Sequence, residues 1–257
     1  MTNKYRRARK KRKKMWPYLL SFFLLVVLGS GIGVYLAKPS LFSGLQFWKA
    51  KKTAVTTPSS SKKKKEKSDL PAVSTKDWQL ILVNRDNVKP ELNPQLTDVD
   101  AIKVDSRIVE PTRQFLEAAR KIAPEETLIS GYRSVAEQTE LYNERVAQLE
   151  ASGLSHEEAS KQVQTQVQVP GASEHQTGLA IDMSVEAGQS DELGLQLAAI
   201  APQYGFVLRY PDGKSNITGV NFENWHFRYV GVENAQYMAK HQLVLEEYIQ
   251  LLKKDGK

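Results

Sequence analysis

The sequence predicts an α+β fold over residues 76–257, a small central antiparallel sheet flanked by helices. Short apolar strands occupy the middle of that stretch, helical patterns lie before and after them, and no internal repeat interrupts the order. Hydrophobic residues make up 41% and charged residues 25%, the proportions of a chain with a core to bury. A length of 257 residues accommodates one ordinary domain together with a targeting or membrane segment, and not two large domains.

Taken in order, 78–83 reads as a strand, and 111–122 as a helix with Phe115, Leu116, Ala119 and Ile122 on one face. Leu128 and Ile129 form a short strand entering Gly131, followed by a helix over 135–150. Ser155 opens a second helix, because Glu158 three residues on completes a capping box; Pro170 and Gly171 stop it. Strands over 179–185 and 206–210 enclose a helix over 191–204. After the turn at Pro211, Asp212 and Gly213 comes a strand over 225–230, then one or two helices between 233 and 254.

The net charge of +7 divides unevenly. Residues 1–67 hold 18 of the 36 Lys and Arg against the single acid Glu66, so the remaining 18 basic residues face 28 acidic ones. The folded part is acidic, and the basic balance belongs to the N-terminal tail rather than to a phosphate-binding groove; nucleic acid is not an expected partner. Residues 1–14 carry nine Lys and Arg and are followed by 15–37 without a charge, long enough to cross a bilayer as one helix. The basic excess before the span places the tail in the cytoplasm and the rest outside. A cleaved signal peptide is disfavoured by the length of the apolar run and by Tyr35, bulky two positions before Ala37. The segment 38–75, rich in Lys, Ser, Thr and Pro, is a flexible stalk. With no Cys, disulfides, thiolate metal sites and a Cys nucleophile are excluded, so any metal must be held by His, Asp or Glu.

Of the four histidines, His156 in a polar capping turn and His241 in a basic C-terminal helix read as solvated. His175 precedes an apolar strand carrying one acid, Asp182, between Ile181 and Met183. A carboxylate there is costly unless paired or bound to a metal. In the strand following Asn224, Trp225, Phe227 and Tyr229 share one face, and His226 and Arg228 the other. Two His and one Asp form a three-ligand set of the catalytic zinc kind, although non-haem iron accepts the same ligands. Glu223 reaches that set only if the chain bends or bulges around Asn224, and it would then act as general base.

Three separated motifs now resemble a known family. Ser130 to Ser134 with Gln138, Ser173 to Asp182, and Glu223 to Gly231 are similar, in order, to the VanY-type zinc D-alanyl-D-alanine carboxypeptidases, which include the peptidoglycan LD-carboxypeptidases. The resemblance covers about 78–240. It implies one zinc ion on His175, Asp182 and His226, Glu223 as catalytic base, Arg133 polarising the scissile carbonyl, and Ser173, Gln138 and Tyr132 holding substrate. It implies a wall-modifying hydrolase that removes D-alanine from peptidoglycan stem peptides; the expected partners are those peptides and, through the N-terminal helix read above, the membrane, and the expected state is a monomer. The Ser173 to Ala180 run looks closer to the LD-carboxypeptidases. Where such enzymes commonly have Pro after the Glu, this chain has Asn224, a departure that bears on the rigidity of the Glu223 turn and not on the ligands. A cross-link endopeptidase of the same fold, and a wall-binding module with a structural metal, are the competing readings.

Overall fold

The computed structural model describes residues 69–257. The predicted tail, anchor and stalk up to 68 lie outside the described residues. Among the described residues no helix is long and apolar enough to cross a membrane.

A hairpin of β1 (Leu96–Val99) and β2 (Ile102–Asp105) comes first, followed by helix α1 (Val109–Ile122) and strand β3 (Thr127–Ser130). Helices α2 (Val135–Ala151) and α3 (His156–Val163) form a side pair. Then come β4 (Ala180–Ser184), α4 (Asp191–Ile200), β5 (Phe206–Tyr210), the single turn α5 (Ser215–Thr218) and β6 (Glu223–Tyr229). Helices α6 (Val232–His241) and α7 (Leu245–Lys254) close the chain. The main sheet has the order β3-β4-β6-β5 with every neighbour antiparallel, so the predicted α+β class holds.

Helix α1 packs on this sheet. Phe115, Leu116 and Ala119 are buried against Leu128, Ile181, Met183, Phe206 and Phe227, and the Phe115 ring sits 5.2 Å from Phe206 and 5.1 Å from Phe227. Ile122, expected on the same face, lies in the last turn and is 38% exposed. A second cluster joins Leu80, Val207 and Val230 to Met238, Leu245, Tyr248 and Leu252 of the C-terminal helices. The α2 and α3 pair has its own small core of Val146, Ala159 and Val163. Ser155 caps α3 with Glu158 reaching back, as predicted, and Ser134 with Glu137 does the same for α2.

Four expectations need correction. Residues 78–83 are not a strand: a short 3-10 turn covers Trp78–Leu80, and the Gln79 and Ile81 carbonyls accept hydrogen bonds from Arg228 Nη2 at 3.1 and 2.8 Å in place of a strand partner. Helix α3 ends at Val163 rather than at Pro170. The following loop is held from outside, Asn221 N donating to the Thr165 carbonyl and Arg85 Nε to Gln168 Oε1. The helix predicted over 191–204 changes to a 3-10 turn at Ala201–Tyr204, where Pro202 removes a backbone donor. The folded part also begins before 76. Leu70 and Val73 pack on the second cluster, Thr75 Oγ1 donates to the Lys257 carbonyl at 3.0 Å, and Lys257 Nζ donates to the Leu70 and Pro71 carbonyls.

Strand β6 contains the bend on which the approach of Glu223 to the other three residues depends. Leu208 pairs with Phe227 but Tyr210 pairs with Glu223, so β6 carries two extra residues between these positions. Asn224 Nδ2 stabilises the bend by donating to Asp191 Oδ1 (2.7 Å) and to the Gln189 carbonyl (3.2 Å). Gly194 of α4 makes the approach possible: a Cβ there would lie 2.5 Å from both Asn224 Cβ and the Asn224 carbonyl oxygen. Gly194→Ala is therefore expected to destabilise the fold by about 1–3 kcal/mol through overpacking and to displace the Glu223 turn. Thermal unfolding reads the first effect, and an unchanged melting temperature would contradict it.

Candidate metal centre

His175 lies in a 3-10 turn, Glu174–Thr177, between Ser173, whose hydroxyl accepts from His175 N, and Gly178 in the left-handed conformation. A side chain at Gly178 would also collide with Asp105 N, 2.8 Å from the position of its Cβ. The antiparallel register of β4 and β6 pairs Asp182 directly with His226. The turn and the two strands thus bring His175, Asp182 and His226 together with their donor atoms within 4.8 Å of one another. His175 Nε2 stands 3.4 Å from Asp182 Oδ2, His226 Nδ1 stands 3.2 Å from Asp182 Oδ1, and the bend brings Glu223 Oε2 to 3.6 Å from His226 Nδ1. All four side chains are buried, 4–5% exposed.

This donor set fits a small divalent cation. Tetrahedral bonds of about 2.0–2.2 Å place neighbouring donors about 3.3–3.6 Å apart. Asp182 Oδ1 is fully buried yet makes no hydrogen bond among the described residues. His175 Nδ1 is 2.7 Å from the Gly131 carbonyl, which holds the tautomer that leaves Nε2 free as a ligand.

The electrostatics are those of a centre built around positive charge. Burial raises the Asp182 carboxyl, but His175, His226 and Arg133 outweigh it and hold the pKa down to about 2. Burial, reinforced by Arg133 and His226, pushes His175 down to about 3. His226 moves the other way: burial lowers it, but Asp182 and Glu174, together with Glu223, push it up to about 9. Burial and the neighbouring Asp182 raise Glu223 to about 8, against the pull of His226, Arg133 and Arg209. Without a metal, protons on His226 and Glu223 neutralise the cluster.

Arg133 Nη1 donates to Gln138 Oε1 at 2.7 Å and Nη2 to Ser130 Oγ at 3.1 Å, and its charge acts on both Asp182 and Glu223. Gln138 is committed at both ends, since Nε2 donates to the Gln168 carbonyl at 2.6 Å; the structure gives it the work of aiming Arg133. Tyr132 donates to Glu91 Oε1 at 3.1 Å, and Glu91 Oε2 accepts from Val135 N, so this pair secures the start of α2. Ser173 is buried and caps the His175 turn. Gln138, Tyr132 and Ser173, expected to hold substrate, thus each also make contacts within the protein. His156 and His241 lie apart from the centre, against Glu150 and Asp69.

Sequence reasoning missed Tyr210, whose ring lies 4.9 Å from His226, and the buried ion cluster of Glu174, Arg209, Arg228 and Glu246 behind it. The signal was present: Arg209 lies in the apolar strand sequence Phe-Val-Leu-Arg-Tyr, the same anomaly that drew attention to Asp182.

Comparison with known proteins accounts for this arrangement. The family model described as "VanY: D-alanyl-D-alanine carboxypeptidase" matches residues 101–232, a stretch that contains the whole centre. A D-alanyl-D-alanine carboxypeptidase of Enterococcus faecalis is 38% identical over 177 residues, covering 67% of this chain and 66% of that protein; just under two thirds of the relative's length is therefore spanned. A crystal structure of a mutant of the vancomycin-resistance D,D-pentapeptidase VanY, in complex with Zn(II), superposes with a TM-score of 0.63 at 38% identity, covering 67% of this chain and 99% of that one. The LdcB LD-carboxypeptidase, solved to reveal the basis of peptidoglycan recognition, gives 0.56 at 29% identity, covering 66% and 84%. With the family's match spanning half of its residues and the same fold beneath it, this chain belongs to the VanY family of D-alanyl-D-alanine carboxypeptidases.

Proposed function

We propose that the protein is a zinc-dependent carboxypeptidase that removes the C-terminal D-alanine from peptidoglycan stem peptides. The observation that carries this is the convergence of His175, Asp182 and His226 with Glu223 at 3.6 Å and the Arg133 charge beside them. Zinc, when bound by the three ligands, supplies a Lewis acid and an acidified water. Glu223, held by the β6 bend, takes the proton of the attacking water and returns it to the departing amine of D-alanine. Arg133, aimed by Gln138 and Ser130, meets the negative charge that develops on the scissile carbonyl oxygen. Tyr210, packed against the His226 ring, covers that side of the centre.

The Ser173 to Ala180 sequence supports an LD reading, cleavage of tetrapeptides. The higher identity to the D,D-pentapeptidase, 38% against 29% for LdcB, supports a second reading in which pentapeptides ending in D-Ala-D-Ala are cut. Incubation of the protein with both peptides separates them. Under the LD reading the tetrapeptide yields free D-alanine; release from the pentapeptide alone replaces it with the second.

The uncharged run 15–37 and the basic tail before it support membrane attachment with the catalytic domain outside, where it would act on wall peptides. Protease treatment of intact cells that leaves the domain whole would oppose that topology.

A further inference from the structure

Glu174 immediately precedes a proposed metal ligand, yet its carboxylate points into the protein and is fully buried. Its Oε1 accepts from Arg209 Nε at 2.8 Å and from Arg228 Nη1 at 2.7 Å. Arg209 in turn grips Glu246, in the first turn of α7, with both terminal nitrogens at 3.0 and 2.6 Å, and Asn84 Nδ2 donates to the same carboxylate. The remaining Arg228 donors go to the carbonyls of Gln79, Ile81 and Tyr229. Two carboxylates and two guanidiniums therefore cancel out of reach of water, an arrangement that apolar side chains of similar volume commonly match or exceed in stability. Stability is thus a weak reason for the cluster.

Glu174 Oε2 supplies a stronger one. It makes no hydrogen bond among the described residues, and neither does His226 Nε2; the two buried atoms face each other at 3.8 Å. His226 turns Nδ1 toward Asp182, and a ring that offers Nδ1 as a lone pair carries its proton on Nε2, where an acceptor is needed. Glu174 Oε2 is at that position. The other histidine has the mirror arrangement, Nδ1 held by the Gly131 carbonyl and Nε2 turned to Asp182.

The geometry points to Glu174 as a positioning residue of the metal centre: it accepts the His226 Nε2 proton and fixes the ring with Nδ1 toward the ligand set, while Arg209 and Glu246 tie that orientation to helix α7. The inference rests on the zinc reading above, and its test is a zinc titration of the full chain by competition with a chromogenic chelator, for wild type, Glu174→Gln and Glu246→Gln. Glu174→Gln is expected to weaken zinc binding by about 10–100-fold and to shrink the zinc-induced rise in melting temperature, with kcat falling more than KM changes. Glu246→Gln, which leaves Glu174 in place, is expected to weaken binding less and in the same direction. A folded Glu174→Gln that binds zinc as tightly as wild type, with only the metal-free melting temperature lowered, overturns the proposal and makes the cluster structural. If Glu174→Gln does not fold, Glu246→Gln decides: reduced zinc affinity supports the role and wild-type affinity overturns it. A wild-type chain that takes up no zinc defeats the functional reading and this one together, whereas tight binding by wild type and variants alike defeats this one alone.

Discussion

Glu223→Gln is expected to lower kcat on the stem peptide by about 10²–10⁴-fold while leaving zinc content at one ion per chain. The amide keeps the shape of the side chain and its place in the β6 bend but has no lone pair basic enough to take a proton at neutral pH. The ligand set of His175, Asp182 and His226 is untouched, so metal analysis and turnover separate the two roles. A wall-binding module with a structural metal predicts the opposite, with binding and any activity indifferent to the change. Undiminished hydrolysis by the zinc-loaded variant would remove Glu223 from the chemistry.

Removal of the metal is expected to abolish activity and to reverse how stability depends on pH. In the metal-free protein Glu223 titrates near 8 rather than in the usual carboxylate range, and His226 near 9 rather than near 6.5. In both cases the folded state holds a proton that the unfolded chain has released, between 4.5 and 8 for Glu223 and between 6.5 and 9 for His226. The stability that the protonated His226 contributes is complete below about pH 6.5 and is lost as pH rises through about 9. For Glu223, stability falls as pH rises from about 4.5 to 8. Each group changes stability by up to about 1.4 kcal/mol per pH unit within its window, and both slopes are downward between about pH 6.5 and 8. Zinc takes the place of the His226 proton, so its affinity rises over this same interval and a zinc-loaded sample gains where the stripped one loses. Melting curves of chelator-treated and zinc-loaded protein at pH 6.5, 8 and 9 test this; a stripped protein that becomes more stable across the window would contradict the assignment. Acidification restores the competing protons, so turnover should also fall toward about pH 5.

The clustering of His175, Asp182 and His226 was legible in the sequence because Asp182 and His226 contradict their surroundings: Asp182 lies between Ile181 and Met183, and His226 alternates with Trp225 and Phe227. Helix α1 was legible for the converse reason, that Phe115, Leu116 and Ala119 repeat with the helical period. The β1–β2 hairpin was missed because its two-residue connection, Asp100–Ala101, has no Gly; Asp100 adopts a φ of +48° that an Asn-Gly or Asp-Gly pair would have announced. Residues 78–83 were misread because a short apolar run does not reveal whether the carbonyls meet another strand or, as here, the guanidinium of Arg228. The β6 bend was anticipated only as a condition. What holds it, the Asn224 amide on Asp191 and the missing side chain at Gly194, joins elements some 30 positions apart, and local pattern contains nothing of such contacts. Glu174 was quoted within a motif and given no role, because its partners lie on β5, β6 and α7.

The clasp between the first described residues and the last helix has a mechanical consequence. Thr75 and the carbonyls of Leu70 and Pro71 meet Lys257, so the chain enters and leaves the fold at a single seam. A pull applied at residue 69 would act first on that seam and on Leu70 and Val73, which pack against the second cluster. The strands bearing Asp182 and His226 pair with each other and not with that seam, so parting it would leave their register unchanged.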